Sequence, residues 1–254
     1  MKKTLTVLYL FLFAQLILWI STPRLPYPKL FSRTYSFSEP FRYINLTDIS
    51  SSFLVSLEIG FLCVIFSVLF CIPTSLFIAR LTGKTKFILS TLLYIPVLAP
   101  ILLPSIGLYE FMYEINLIGS IYGIALAQCC VLYPYMLKPI EGLLTTEGFK
   151  SEVVARHFGA SKSETFLKVT MPRIMRPLSQ GAFFVFVGSF NDYIISFLLG
   201  DFKIKTLSVI LYPLMQSDNR ATSAMVIAIY TIPLVILYFV VTKTFKWRTH
   251  VKDI

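Results

Sequence analysis

The stretch EGLLTTEGFKSEVVARHFGASKSETFLKVTMPRIMRP, residues 141–177, is a strongly charged island in an apolar chain. It holds two patches of helical character, Lys150–Phe158 and Lys162–Lys168. Between them lies Gly159-Ala160-Ser161, where a glycine can end one helix and a serine can cap the next. Glu164 follows Ser161 by three residues and completes a capping-box pattern. Met171-Pro172 and Pro177 are expected to stop the second helix and lead the chain onward. Helix, glycine turn, helix is more punctuation than a solvated loop needs, and it suits a docking surface.

On either side of this island the chain is apolar. Of 254 residues, 56% are hydrophobic and only 14% charged, with a mean hydropathy of +0.74. Soluble domains carry about 25% charged residues, so this chain cannot cover a soluble surface of its size. Disorder, a collagen-like fibre and a disulfide scaffold fail on the same numbers. A crossing helix needs about 20 mostly apolar residues. Six windows qualify: about 4–22, 54–79, 87–110, 116–138, 178–200 and 221–243. The fifth is interrupted by Asp192. The first could be a secretory signal peptide after Met1-Lys2-Lys3, but no small-x-small cleavage site follows before Pro23, which favours a retained helix. The expected fold class is an all-α membrane protein, a single domain of six spans over 1–254, with a cytoplasmic loop at 141–177.

The net charge of +10 becomes a topology signal once the cations are sorted by side. Sixteen of the 23 Lys and Arg residues fall with the termini and the 141–177 loop, and seven fall opposite. Basic loops favour the cytoplasm, so both termini are expected there. Nucleic acid is not implied as a partner; membrane lipid is.

Cys63, Cys71, Cys129 and Cys130 all lie inside spans and suit packing rather than a disulfide or a metal quartet. His157 and His250 have no partners at ligand spacing. No phosphate-binding glycine loop or nucleophile motif is present. The expectation is a chain with no enzymatic activity, no metal and no cofactor of its own. Pro96, Pro100 and Pro104 recur at a spacing of four in the third span. They mark either a kinked packing helix or one that lines a path. Asn191-Asp192-Tyr193 is the candidate path site, because an ionisable group inside a span costs a few kcal/mol and usually marks function. The competing reading is that Asp192 pairs with a loop cation or caps a broken helix. Glu110 and Glu114 share a helix face at the outer end of the third span and suit a solvated boundary.

Residues 152–172, EVVARHFGASKSETFLKVTMP, resemble the cytoplasmic loop of permease subunits of binding-protein-dependent ABC importers. That loop has an EAA triplet, a glycine after three further residues, and a distal Leu-Pro. Aligning on Gly159 matches Ala155, Gly159 and Pro172 outright, and Ala160-Ser161 has the same look. Val153 stands where the family has Glu, and Glu152 is one place earlier, rotated by about 100°. Gly188-Ser189-Phe190-Asn191-Asp192-Tyr193 is similar to the fifth span of the spermidine/putrescine permeases and their iron, thiamine and phosphonate relatives.

The resemblance implies the type I importer permease fold in the bacterial inner membrane. It also implies separate ABC ATPase subunits that bind the ATP, a second permease subunit in a homo- or heterodimer, and a periplasmic substrate-binding protein. By the same resemblance, Glu152, Ala155, Gly159, Ala160, Ser161 and Pro172 form the ATPase-coupling loop. The implied substrate is a polyamine or similar small solute, for which a carboxylate at Asp192 is suited. The competing function is a stand-alone secondary transporter or channel, against which stand the single deep acid and the lack of an internal repeat.

Overall fold

The computed structural model describes residues 46–216, 225 and 228–235. The span expected at 4–22 and most of that at 221–243 lie outside them. Every regular element among the described residues is helical. The chain divides into two units, and the account below concerns the one formed by Val55–Lys205. The other includes a helix at Leu207–Met215, whose first turn is capped by Thr206.

Helix α1 (Leu46–Arg80) and, later in the chain, Ile121–Glu147 are each long and apolar enough to cross a membrane. Along α1 the residues Ile59, Cys63, Ser67, Cys71, Ser75 and Ile78 are all buried, each three or four positions from the last. Their spacing puts them on one face, and the small size of the cysteines and serines lets a neighbouring helix approach closely. The cysteines at 63, 71 and 129 are therefore packing residues, as expected, whereas Cys130 is exposed.

The third expected span, 87–110, is two helices. α2 (Gly83–Leu98) and α3 (Leu102–Glu114) meet at an angle of 97°. Proline chemistry explains the corner. A residue before proline is pushed out of the α region, and Ala99, before Pro100, is extended at φ −77°, ψ 143°. The last bond of α2 runs from the Ala99 N–H to the Ile95 carbonyl, and the next begins at Leu103 N–H to Pro100 O. Pro104 sits in the first turn of α3, where its missing N–H costs nothing. Pro96 lies inside α2, and Pro100 and Pro104 end that helix and start α3, so the run marks a corner where the sequence had offered a kinked packing helix or one that lines a path. Neither helix contributes much to the core: α2 buries no residue fully and α3 only Ser105 and Met112.

Helix α4 (Ile121–Glu147) begins at Ser120, whose side chain accepts the Tyr122 N–H, and ends at Gly148 with φ +65°. It outruns the span expected at 116–138 by nine residues, into the charged island. Hydropathy locates the edge of the apolar region; it does not locate the end of the hydrogen-bonded ladder, which the polar residues Thr145, Thr146 and Glu147 continue readily.

The island then folds as α5 (Lys150–His157) and α6 (Lys162–Thr165), the latter running through a π-turn at Phe166–Thr170 into α7 (Met171–Asn191). Met171-Pro172 was expected to stop the helix, and it does not. The Met171 N–H bonds five residues back, to the Phe166 carbonyl. This widened turn lets Pro172 enter the first turn of α7 without the clash that a tighter ladder would impose. The fifth span is itself broken: α7 ends at Asn191 and α8 (Ile194–Gly200) leaves it at 59°.

Helices α4 and α7 pack at the centre of the unit, and Gly181 is a point of close approach between them. A Cβ on Gly181 would lie 2.5 Å from the Cα of Met136, a backbone atom that cannot swing aside. Gly181→Ala is expected to cost about 1–3 kcal/mol by forcing the two helices apart. The measurement is the thermal midpoint of the detergent-purified chain. Gly142→Ala, where an added Cβ meets nothing within 4 Å, is the control expected to show no such loss. Equal midpoints for the two variants would refute the close approach.

Candidate functional site

The charged island closes on itself through a helix-terminating turn and an ion-pair clamp. At the end of α5 the Gly159 N–H bonds the Arg156 carbonyl at 3.0 Å, and the Ala160 N–H bonds the Ala155 carbonyl at 3.1 Å. Those two bonds form a Schellman turn, which requires the left-handed conformation that Gly159 adopts at φ +88°. Ser161 then caps α6. Its hydroxyl accepts the Glu164 N–H, and the Glu164 carboxylate accepts from the Ser161 N–H, completing the capping box.

Hydrogen bonds from the Ser161 N–H and hydroxyl, with the Lys168 ammonium beside them, hold the Glu164 carboxyl down at about 2. A folded-state value below the unfolded one stabilises above the unfolded value, near 4.5, and is lost as pH falls toward 2. Glu164→Gln is therefore expected to lower the thermal midpoint at pH 6, and the difference from the unaltered chain should vanish by about pH 2. A difference independent of pH would show that the charge on Glu164 has no part in the cap.

Glu152 lies in the loop, as the resemblance implied, but it faces inward and is 8% exposed. Both carboxylate oxygens accept from Arg173 Nη1 at 2.8 Å, and Thr170 donates to one of them at 3.2 Å. Arg173 Nη2 reaches Glu147 at 2.9 Å and the Gly148 carbonyl at 3.0 Å. One guanidinium thus ties together the end of α4, the start of α5 and the start of α7. With Glu152 turned in, Val153 and Val154 on α5 and Phe158 just after it are 52%, 55% and 89% exposed, among the exposed Lys150, Ser151, Arg156 and His157. Ala155 and Ala160 are half-buried, while Gly159, Ser161 and Pro172 are exposed.

The second candidate site lies at the break in the fifth span. Asn191 is exposed, and Asp192 and Tyr193 are half-buried. Asp192 Oδ2 accepts from the Ser196 N–H at 3.0 Å, the Ser196 hydroxyl at 3.2 Å and Gln128 Nε2 at 3.0 Å. By accepting the Ser196 N–H, Asp192 acts as a cap at the broken helix, one of the readings the sequence left open. Gln128, on α4, is wholly buried and also donates to the Ser196 hydroxyl at 3.0 Å, while Ser189 donates to its Oε1. Gln128 is a functional residue not singled out from the sequence, where its signal was an amide in the middle of an apolar window. A further carboxylate, Glu141 near the C-terminal end of α4, accepts from Ser90 at 3.0 Å and Tyr94 at 2.8 Å, tying α2 to α4.

This arrangement of helices is that of an ABC-importer permease. The chain superposes with a TM-score of 0.69 on the crystal structure of a bacterial ABC transporter involved in the import of the acidic polysaccharide alginate, over 95% of each chain and at 15% identity. In sequence it is 26% identical over 208 residues to the molybdenum transport system permease protein ModB of Escherichia coli K12, covering 75% of this chain and 90% of that one. It is also 26% identical over 162 residues to ModB of Mycobacterium tuberculosis, covering 59% of this chain, and spans 61% of the length of that relative. The sulfate transport system permease protein CysT of Salmonella typhimurium is 21% identical over 223 residues, covering 82% of this chain and 80% of that one. No family model matches the chain. The chain is a homologue of ABC-importer permease subunits and has their fold. None of these relatives has a polyamine name, so the polyamine expectation finds no support in them.

Proposed function

We propose that the chain is the permease subunit of a binding-protein-dependent ABC importer for a tetrahedral oxyanion of the molybdate, tungstate or sulfate type. It sits in the bacterial inner membrane with both termini cytoplasmic. It pairs with a second permease subunit, receives substrate from a periplasmic binding protein, and couples to ATPase subunits that hold the ATP.

The observation that carries this reading is the 141–177 loop. Its Schellman turn and capping box build a rigid two-helix projection, and its outer face offers Val153, Val154 and Phe158 to a partner. An exposed apolar patch with no place in the fold's own core suits a protein interface. The Asp192 carboxylate, which suited a cationic cargo, is instead engaged by Gln128 and Ser196 at the helix break, so it gives no support to a cation. The names of the sequence relatives support the oxyanion class.

The test is ATP-dependent uptake by cells expressing the chain with its neighbouring transport genes, using labelled molybdate, sulfate and spermidine. Accumulation of molybdate or sulfate, with an ATPase copurifying, is the expected result. Uptake of spermidine alone would overturn the substrate class. Accumulation without a copurifying ATPase would overturn the importer reading in favour of a stand-alone carrier.

A further inference from the structure

Gln128 reaches from α4 to all three parts of the broken fifth span. Its Oε1 accepts from Ser189 on α7, and its Nε2 donates to Asp192 at the break and to Ser196 on α8, both at 3.0 Å. Both amide N–H donors and the carbonyl oxygen are thereby used. A break inside a membrane helix frees backbone groups that need replacement partners. Asp192 takes the Ser196 N–H, and a carboxylate held there needs donors in turn, which Gln128 and Ser196 supply.

The two halves of the span are held differently at their far ends. α7 continues from the 141–177 loop through the π-turn and is clamped to it by Arg173. The last turn of α8 is tied elsewhere, by a 2.8 Å bond from the Gly119 N–H to the Leu199 carbonyl. A displacement of the loop therefore reaches α7, while α8 stays fixed to the α3–α4 connection. The difference must be absorbed between them, at Asp192-Tyr193.

We propose that Gln128 is the positioning residue that holds the fifth span bent at Asp192, and that this junction is the joint about which α7 moves relative to α8 in the transport cycle. The transport half of this statement rests on the importer function proposed above; the structural half does not.

The test is an exchange of donor and acceptor in the full chain. Gln128→Glu sets a second carboxylate against Asp192. Adding Asp192→Asn leaves one acid and one amide: the Asn carbonyl in the place of Oδ2 still accepts the Ser196 N–H, and the Ser196 hydroxyl can turn to donate to the carboxylate now on α4. Hydrogen exchange of the peptide covering 189–200, measured in lipid nanodiscs, should speed up about tenfold in Gln128→Glu and return to near the original rate in the double variant. Uptake with the partner subunits should fall and recover in the same order. Unchanged exchange in Gln128→Glu, or no recovery in the double variant, would overturn the proposal. So would acceleration spread equally over α1, α4 and α7, because that is loss of the fold rather than release of a joint. Altered exchange with undiminished uptake would overturn the role in transport. The expected exchange pattern in a chain that transports nothing, even unaltered and with its partners, would support the structural half and sink the importer reading.

Discussion

Gly159→Val is expected to cut ATP-coupled uptake by at least about tenfold while leaving the chain inserted and folded. An added Cβ at 159 meets nothing within 4 Å, so no side-chain clash is involved. The damage is to the backbone. Gly159 holds φ +88°, and a β-branched residue in that region costs about 1–3 kcal/mol. The turn would relax toward negative φ and lose the 6→1 and 5→2 bonds of the Schellman motif, changing the angle between α5 and α6. Phe158, 89% exposed and next to the turn, would be displaced from its place on the outer face. Because the strain is confined to a surface turn, insertion and the thermal midpoint should change little, whereas substrate-stimulated ATP hydrolysis and uptake should drop by at least about tenfold, the factor that about 1.4 kcal/mol produces. Gly159→Asn, which tolerates left-handed geometry, should retain most activity. Full transport by the valine variant would remove the loop from the coupling path.

The largest expected loss of stability is in Arg173→Ala. Removing the guanidinium leaves the Glu152 carboxylate, 8% exposed, without its cation, and the Gly148 carbonyl without its donor. Deleting one partner of a buried pair costs about 3–5 kcal/mol. The lower end applies here, because Glu147, the third member, is half exposed and its share is screened. The measurements are the thermal midpoint and the rate of trypsin cleavage within 147–173. Glu147→Ala should change either by little, about 0–1 kcal/mol. The double variant Glu152→Gln/Arg173→Gln, which removes both charges, should recover part of the loss. An Arg173→Ala chain as stable as Glu147→Ala would mean that the clamp does not hold α5 to α7.

Much of the island was legible because its rules are local. Gly159, Ser161 and Glu164 act within four residues of themselves, so the turn and the capping box follow from spacing alone. The inward turn of Glu152 was not legible, because its partner Arg173 is twenty-one residues away on another helix. Val153 in place of the family's Glu could be seen in the sequence, but its exposure beside Val154 and Phe158 depends on which face of α5 the clamp pulls in. At the fifth span, Asp192 drew notice as a charge in an apolar window. Gln128 did not, because one uncharged amide barely interrupts an apolar window, and its partners at 189, 192 and 196 come together only when α4 packs on α7.

The sequence alone determined that the chain lives in lipid, where its apolar windows lie and where its charged loop turns. Those properties depend on composition and short-range spacing, which packing does not alter. Tertiary structure decided where helices end and bend. α4 runs nine residues past its apolar window, α7 passes through Pro172 on a π-turn, and the third span turns by 97° at Pro100. Helix termini and breaks leave backbone groups without intrahelical partners. Whether a break is tolerated depends on what neighbouring elements can offer those groups, and that is fixed only once the helices have packed.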